Sequence, residues 1–187
     1  IALSAFGRFY SLGRDFQAVR FGSEVGRVEL KADMDGRKFV IEAVVSEKSK
    51  IFKINSNKIP ASKVVGFIKV VYFNPETINL VSGSPKTRRG ELDQTLGQVE
   101  PGFVKLLLRF RKVLKERNSL LKRVSAKLAD IGELEFWDEQ FCVLSKEIFT
   151  KRKTFIEMIN GQISRIHDDL EGLKGDLSLS YRPSCDY

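Results

Sequence analysis

Apolar residues change their period part-way along this chain, and that change limits the fold more than any other feature. Between Val25 and Phe73 they alternate with polar ones. Val28 and Leu30 alternate with Glu29 and Lys31, and Phe39, Ile41 and Ala43 alternate with Val40, Glu42 and Val44. From Phe103 onward they return in steps of three and four. A period of two belongs to strands half covered by a core, and a period near 3.6 belongs to amphipathic helices. One chain carrying both in separate halves predicts an α+β fold.

In the first half, Asp33-Met34-Asp35-Gly36 predicts a turn between two strands. Ile51-Phe52-Lys53-Ile54 predicts a third short strand, ended by Asn55-Ser56-Asn57. Residues 60–67 suit one or two helical turns, and Ile68–Phe73 reads as a further strand. The sum is an antiparallel β meander. Ahead of it, Ile1–Phe6 reads as the end of a helix closed near Gly7.

In the second half, Pro101 suits the first turn of a helix. A stripe follows at Phe103, Leu106, Phe110, Val113, Leu120, Val124 and Leu128, with Arg117 in one slot. Asp130-Ile131-Gly132 breaks the pattern. A second stripe runs through Trp137, Phe141, Leu144, Ile148, Phe155, Ile159, Ile163, Ile166 and Leu170. Two stripes joined by a short turn predict an antiparallel helical hairpin. Residues 176–183 alternate again and read as a strand returning to the first half. The expected organisation is a mostly β unit over residues 1–85, a helical arm over 86–175, and a final strand over 176–187.

A chain of 187 residues suits one or two domains. No apolar run reaches the roughly 18 residues of a membrane helix, and no secretory signal pattern opens the sequence. Cys142 and Cys185 stand apart without metal-ligand spacing, which fits reduced thiols in a cytosolic protein. The single His167, beside Asp168 and Asp169, reads as a surface or packing residue. No set of residues suggests a catalytic centre or a metal site.

Charge is unevenly placed. Residues 86–127 hold 12 Lys and Arg against 4 Asp and Glu, whereas residues 128–187 hold 7 against 12. The surplus in that middle stretch equals the +8 of the whole chain. Lys86, Arg88, Arg89, Arg109, Arg111, Lys112, Lys115, Lys122 and Arg123 are therefore the candidate contacts for a polyanion, nucleic acid first. Composition alone leaves a solvated amphipathic helix equally open. Phe103 and Phe110 fall in the packing stripe, so base stacking on single strands is not indicated.

Between the two halves lies FNPETINLVSGSPKTRRGELD, residues 73–93, in which Gly83 and Pro85 punctuate a loop. Its run Pro75-Glu76, Leu80-Val81, Gly83-Ser84-Pro85, Arg88-Arg89 and Leu92-Asp93 resembles the signature of the RecF family of recombination mediators. One position departs, with Glu91 where the family has an aromatic. GRFYSLGRDFQAVRFG (Gly7–Gly22), RFRKVLKERNSLLK, the segment around Trp137-Asp138 and the tail before Pro183 are also similar, so the resemblance spans essentially the whole chain.

The resemblance implies that the β unit is part of an ABC-type ATPase head lobe and that the hairpin is its arm. The family's Walker A loop would precede Ile1, and its signature and Walker B motifs would follow Tyr187. With no initiator methionine, the chain is expected to be the central part of a longer protein. ATP and Mg²⁺ are implied for the intact protein and no cofactor for this chain alone, which is expected to be inactive by itself. Asn74 and Glu76 occupy the place of the Q-loop, which reaches towards the nucleotide. Arg88 and Arg89 would join that loop to the arm.

The implied function is ATP-dependent DNA binding in repair and replication-fork maintenance, within the SOS response and the cytoplasm. The implied partners are duplex DNA at gaps or single-strand/double-strand junctions and the RecO and RecR mediators, with the recombinase RecA to be loaded. A homodimer through the heads is also implied. The alternative is a non-catalytic arm of the SMC or Rad50 kind, built for protein contact.

Overall fold

The structure is a computed structural model that describes residues 1–8, 14–73, 79–170 and 177–183. It divides into two compact units, Ile1–Val104 and Lys105–Tyr187.

Four strands form one antiparallel sheet in sequence order: β1 (Val25–Met34), β2 (Arg37–Ser46), β3 (Lys50–Ile54) and β4 (Asn57–Ile59). Two of its hairpins close with two residues each, Asp35-Gly36 and Asn55-Ser56. All four have positive φ, at 52°, 75°, 47° and 68°. Positive φ at both central residues matches the right-handed twist of the flanking strands, and Asp, Asn and Gly reach it at least cost. β4 is not predicted by the sequence pattern: Asn57 falls in the expected turn, and Asn57-Lys58-Ile59 is too short to show a period.

The alternation puts Ile41, Ala43 and Val45 of β2 on one face with Phe52 of β3, all buried. Leu3 from α1 (Ala2–Phe6) and Val64 from α2 (Ala61–Val64) complete that core, with Val19, Val28 and Ile59 packed against it. α1 ends at Gly7 in the left-handed region, as the sequence predicts. The opposite face carries charge. Glu42 lies between Arg27, 2.5 Å away, and Lys53, 3.0 Å away, on the neighbouring strands.

The expected strand at Ile68–Phe73 does not form. Its one β contact is an isolated parallel bridge between Ile68 and Val65. The backbone of Val70 is held instead by a side chain: its N–H donates to Gln98 Oε1 at 2.8 Å, and Gln98 Nε2 donates to its carbonyl at 3.2 Å. Gln98 belongs to α4 (Pro85–Val99), which follows the short α3 (Asn79–Ser82). Ser84 caps α4 by accepting from the N–H of Thr87, and Pro85 is the first helical residue. Pro85 was read as a loop residue; it opens a helix because that position needs no N–H donor. α4 approaches the segment before it so closely that a Cβ on Gly66, whose φ is 82°, would lie 2.6 Å from the Gln98 carbonyl oxygen.

In the second unit the hairpin forms as expected, from α5 (Phe103–Ser125) and α6 (Leu134–Asp168). Phe110 meets Phe141 with ring centroids 5.3 Å apart, and Arg117 reaches Asp138 at 2.5 Å. Seven residues forward on α5 thus corresponds to three residues back on α6, the mark of antiparallel helices. Leu120, Leu134, Leu144, Ile148 and Phe155 are buried along the stripes. Leu128, placed in the stripe by its spacing, lies beyond the end of α5 and is 71% exposed. Asp130 caps the single 3-10 turn Ile131–Glu133 that leads into α6.

The described part of the tail, residues 177–183, is not a strand. Residues 177–183 have no regular secondary structure and run along α6. Leu179 exchanges two hydrogen bonds with the side chain of Asn160, at 2.7 and 2.8 Å. Tyr181 accepts from Arg152 at 3.0 Å and packs against Phe149. Moving from Leu179 to Tyr181 corresponds to moving back along α6, so the tail is antiparallel to that helix.

Candidate nucleic-acid interface

At about 100° per residue, the apolar positions of α5 from Leu106 to Val124 form one stripe, and Arg117 sits within it. Arg117 reaches Asp138 and also lies over the Phe141 ring at 5.3 Å, so this cation is committed to holding the hairpin. The remaining basic residues of α5 lie away from that stripe. Lys105, Arg109, Arg111, Lys112, Lys115, Lys122 and Arg123 occupy an arc of roughly 160° on the opposite side, and all seven are exposed.

Among the described residues, none of these seven has an ion-pair partner. The only bond from this set is a long one from Arg123 to the Leu128 carbonyl at 3.5 Å. Lys105 and Arg109 are four apart, as are Arg111 and Lys115, while Lys112 and Lys115 are three apart; such pairs are neighbours on a helix surface. Like charges at these spacings oppose the helix by a few tenths of a kcal/mol each. Glu116, four residues after Lys112, is the one acidic residue of α5, and it forms no ion pair with the seven cations among the described residues. A row of this kind suits the phosphates of a duplex and carries no base specificity.

The other candidates are differently placed. Lys86, Arg88 and Arg89 are exposed in the first turns of α4, in the first unit. Arg88 turns back to donate to the carbonyls of Gly83 at 3.1 Å and Val81 at 3.4 Å, which ties α3 to the start of α4. It pairs with neither Asp93 nor Glu91, the partners its spacing allowed. Lys86 and Arg89 carry no such bond among the described residues. Asn74 and Glu76, the expected nucleotide contacts, lie outside the described residues, as does Cys185.

Sequence reasoning leaves Lys105 out of the candidate contacts, although its spacing to Arg109 and Lys112 places it in the same arc. It also missed the amides Gln98 and Asn160, whose roles depend on segments 28 and 19 residues away. Among the described residues there is no group of three His, Cys, Asp or Glu side chains that could hold a metal ion, and no helix is long and apolar enough to cross a membrane. The sequence contains no glycine-rich phosphate loop.

No family model matches the chain. It is similar to the DNA replication and repair protein RecF of Lachnospira eligens, 34% identical over 178 residues that cover 92% of this chain and 49% of the relative. RecF of Heliobacterium modesticaldum is 33% identical over 186 residues, covering 98% and 50%. RecF of Geobacillus kaustophilus is 30% identical over 188 residues, covering 100% and 50%. Among solved structures, the recombination mediator protein RecF with ATP, in the RecFOR pathway, superposes with a TM-score of 0.84 at 26% identity, over 90% of this chain and 46% of that one. A second RecF structure, with an ATP analogue, gives the same values. The chain spans about half the length of the curated relatives it matches. Along nearly all of its sequence and through its sheet and hairpin, the chain matches about half of a RecF-type DNA replication and repair protein.

Proposed function

We propose that this chain supplies the duplex-gripping arm of a RecF-type mediator, together with part of the head to which the arm answers. The observation that carries this reading is the exposed basic arc of α5, whose cations lack carboxylate partners among the described residues. The same family likeness supports ATP dependence, since RecF has been solved with ATP. It also supports action beside the other members of the RecFOR pathway, RecO and RecR. In the intact protein, Asn74 and Glu76 would face the nucleotide and its Mg²⁺, and Arg88 would carry the state of that loop into α4. The heads would dimerise, and the DNA would be a gap or a single-strand/double-strand junction.

A salt titration of duplex binding tests the arm. If Arg109, Lys112, Lys115 and Arg123 each neutralise one phosphate, log K falls with log salt at a slope of about −3 to −4. Arg109→Ala/Lys112→Ala/Lys115→Ala should remove about three units of that slope and weaken all sequences alike. The control belongs on α6, at Lys146 and Lys153. Arg152 is unsuitable because it holds Tyr181. Loss of binding in the α6 control with the α5 variant unaffected would overturn the assignment.

A further inference from the structure

The turn between α5 and α6 leaves a group of apolar side chains in water. Leu128 is 71% exposed, Ile131 70% and Phe136 59%. The turn itself is firmly built: Leu128 N–H donates to the Arg123 carbonyl at 2.8 Å, Lys127 takes φ 59°, and Asp130 and Glu133 close a reciprocal capping box. A rigid turn that holds branched side chains outward differs from a floppy loop that happens to expose them.

Charges flank this apex with opposite sign on its two sides. Lys122 and Lys127 stand at the α5 side, with the basic arc behind them. Glu135 and Glu139 stand at the α6 side, four residues apart on one exposed helix face. Among the described residues none of these four has an ion-pair partner. Two carboxylates at that spacing repel, and the cations across the apex lie on the far side of the hairpin from them. Glu135 and Glu139 disfavour nucleic acid on the α6 side of the apex, in contrast to the basic arc of α5.

We propose that the hairpin tip is a self-complementary contact surface for a second copy of this chain. A twofold axis through the apex, perpendicular both to the arm and to the line from cations to carboxylates, brings Leu128 and Ile131 of the two copies together. The same operation sets Lys122 and Lys127 of each copy against Glu135 and Glu139 of the other. This is an isologous contact, in which one surface serves both partners. The other twofold choice places like charges together, so the charge pattern selects the geometry. Three apolar side chains per copy bury less than the roughly 1,000 Å² of a stable specific interface. The contact is therefore weak, with a Kd on the order of 0.1–1 mM, and it acts when two chains are already held close.

The test is sedimentation of the DNA-free chain over a concentration series reaching that range. Wild type should associate, and Leu128→Ser/Ile131→Ser should remain a monomer. Lys122→Glu/Lys127→Glu and Glu135→Lys/Glu139→Lys should each fail to self-associate, while an equimolar mixture of the two regains a dimer. Added salt should weaken the wild-type contact. Self-association that survives all three variants, as pairing through the β1 edge would, overturns the proposal. So does a mixture that stays monomeric, or tip variants that lose duplex binding and keep self-association.

Discussion

The sheet and the first arm helix treat their positive charges in opposite ways. On the sheet, Arg27 and Lys53 share Glu42, Lys31 lies 3.7 Å from Glu29, and Lys50 is bonded to Asp15 and to the Gly7 carbonyl. On α5 the one cation so treated is Arg117, which faces α6. The seven on the outer arc are left without carboxylates among the described residues. Cations that serve the fold are paired where they stand. Cations left side by side raise the energy of the free protein, and a polyanion that relieves them gains in affinity.

The comparison breaks most visibly on α5. Arg109→Ala/Lys112→Ala/Lys115→Ala should cost duplex binding two to three orders of magnitude near 0.1 M salt, yet leave the thermal midpoint unchanged or slightly raised. Loss of fold in circular dichroism would mean those cations are structural after all. The paired cations should behave inversely. Lys50→Met removes the donor that Asp15 and the Gly7 carbonyl share in a part-buried place, and should lower unfolding free energy by about 1–2 kcal/mol with no change in salt slope. Denaturant melts and the DNA titration read the two halves of that statement separately.

A smaller effect is expected from Arg117→Met. The pair with Asp138 is partly exposed, at 28% and 47%, so its contribution, ring contact included, is discounted to about 1 kcal/mol. Duplex binding should be untouched. If affinity falls as far as in the outer-arc triple variant, the division of labour along α5 is wrong.

Smallest is Glu42. Its hydrogen bond from Lys53 holds the carboxyl below the usual carboxylate range, against desolvation and with help from Arg27. A group whose folded pKa is depressed contributes stability above its unfolded value, near 4.3, and that contribution is lost as pH falls through the folded value. Glu42→Gln should flatten the acid limb of the stability–pH curve by lowering stability slightly at neutral pH and leaving it unchanged below the folded pKa. An unaltered acid limb would show that the triplet is ornamental.

Local pattern carried much of the fold. Asp35-Gly36 announced its hairpin, Gly7 its cap, and the stripes of α5 and α6 their helices, because in each case neighbouring residues hold the whole reason. Two of the misreadings share a cause. Residues 68–73 are apolar and β-branched and residues 177–183 alternate, as strands do, but each segment is held by one helical amide rather than by a neighbouring strand. Only the folded chain brings that amide near. Ser84-Pro85 was a missed local signal: a capping hydroxyl before a first-turn proline marks a helix start. The basic face of α5 was visible as surplus charge, whereas its freedom from carboxylates depends on where α6 presents its own.

The amide of Asn160 gives the tail a clock of its own. The Leu179 N–H is sheltered by one side chain on an otherwise exposed segment, so its hydrogen exchange will follow undocking of the tail rather than unfolding of the hairpin. Amides in the middle of α6, near Ile148, will exchange far more slowly. The ratio of the two rates measures how often residues 177–183 leave the helix, and Asn160→Ala should bring Leu179 close to the rate of an unprotected peptide.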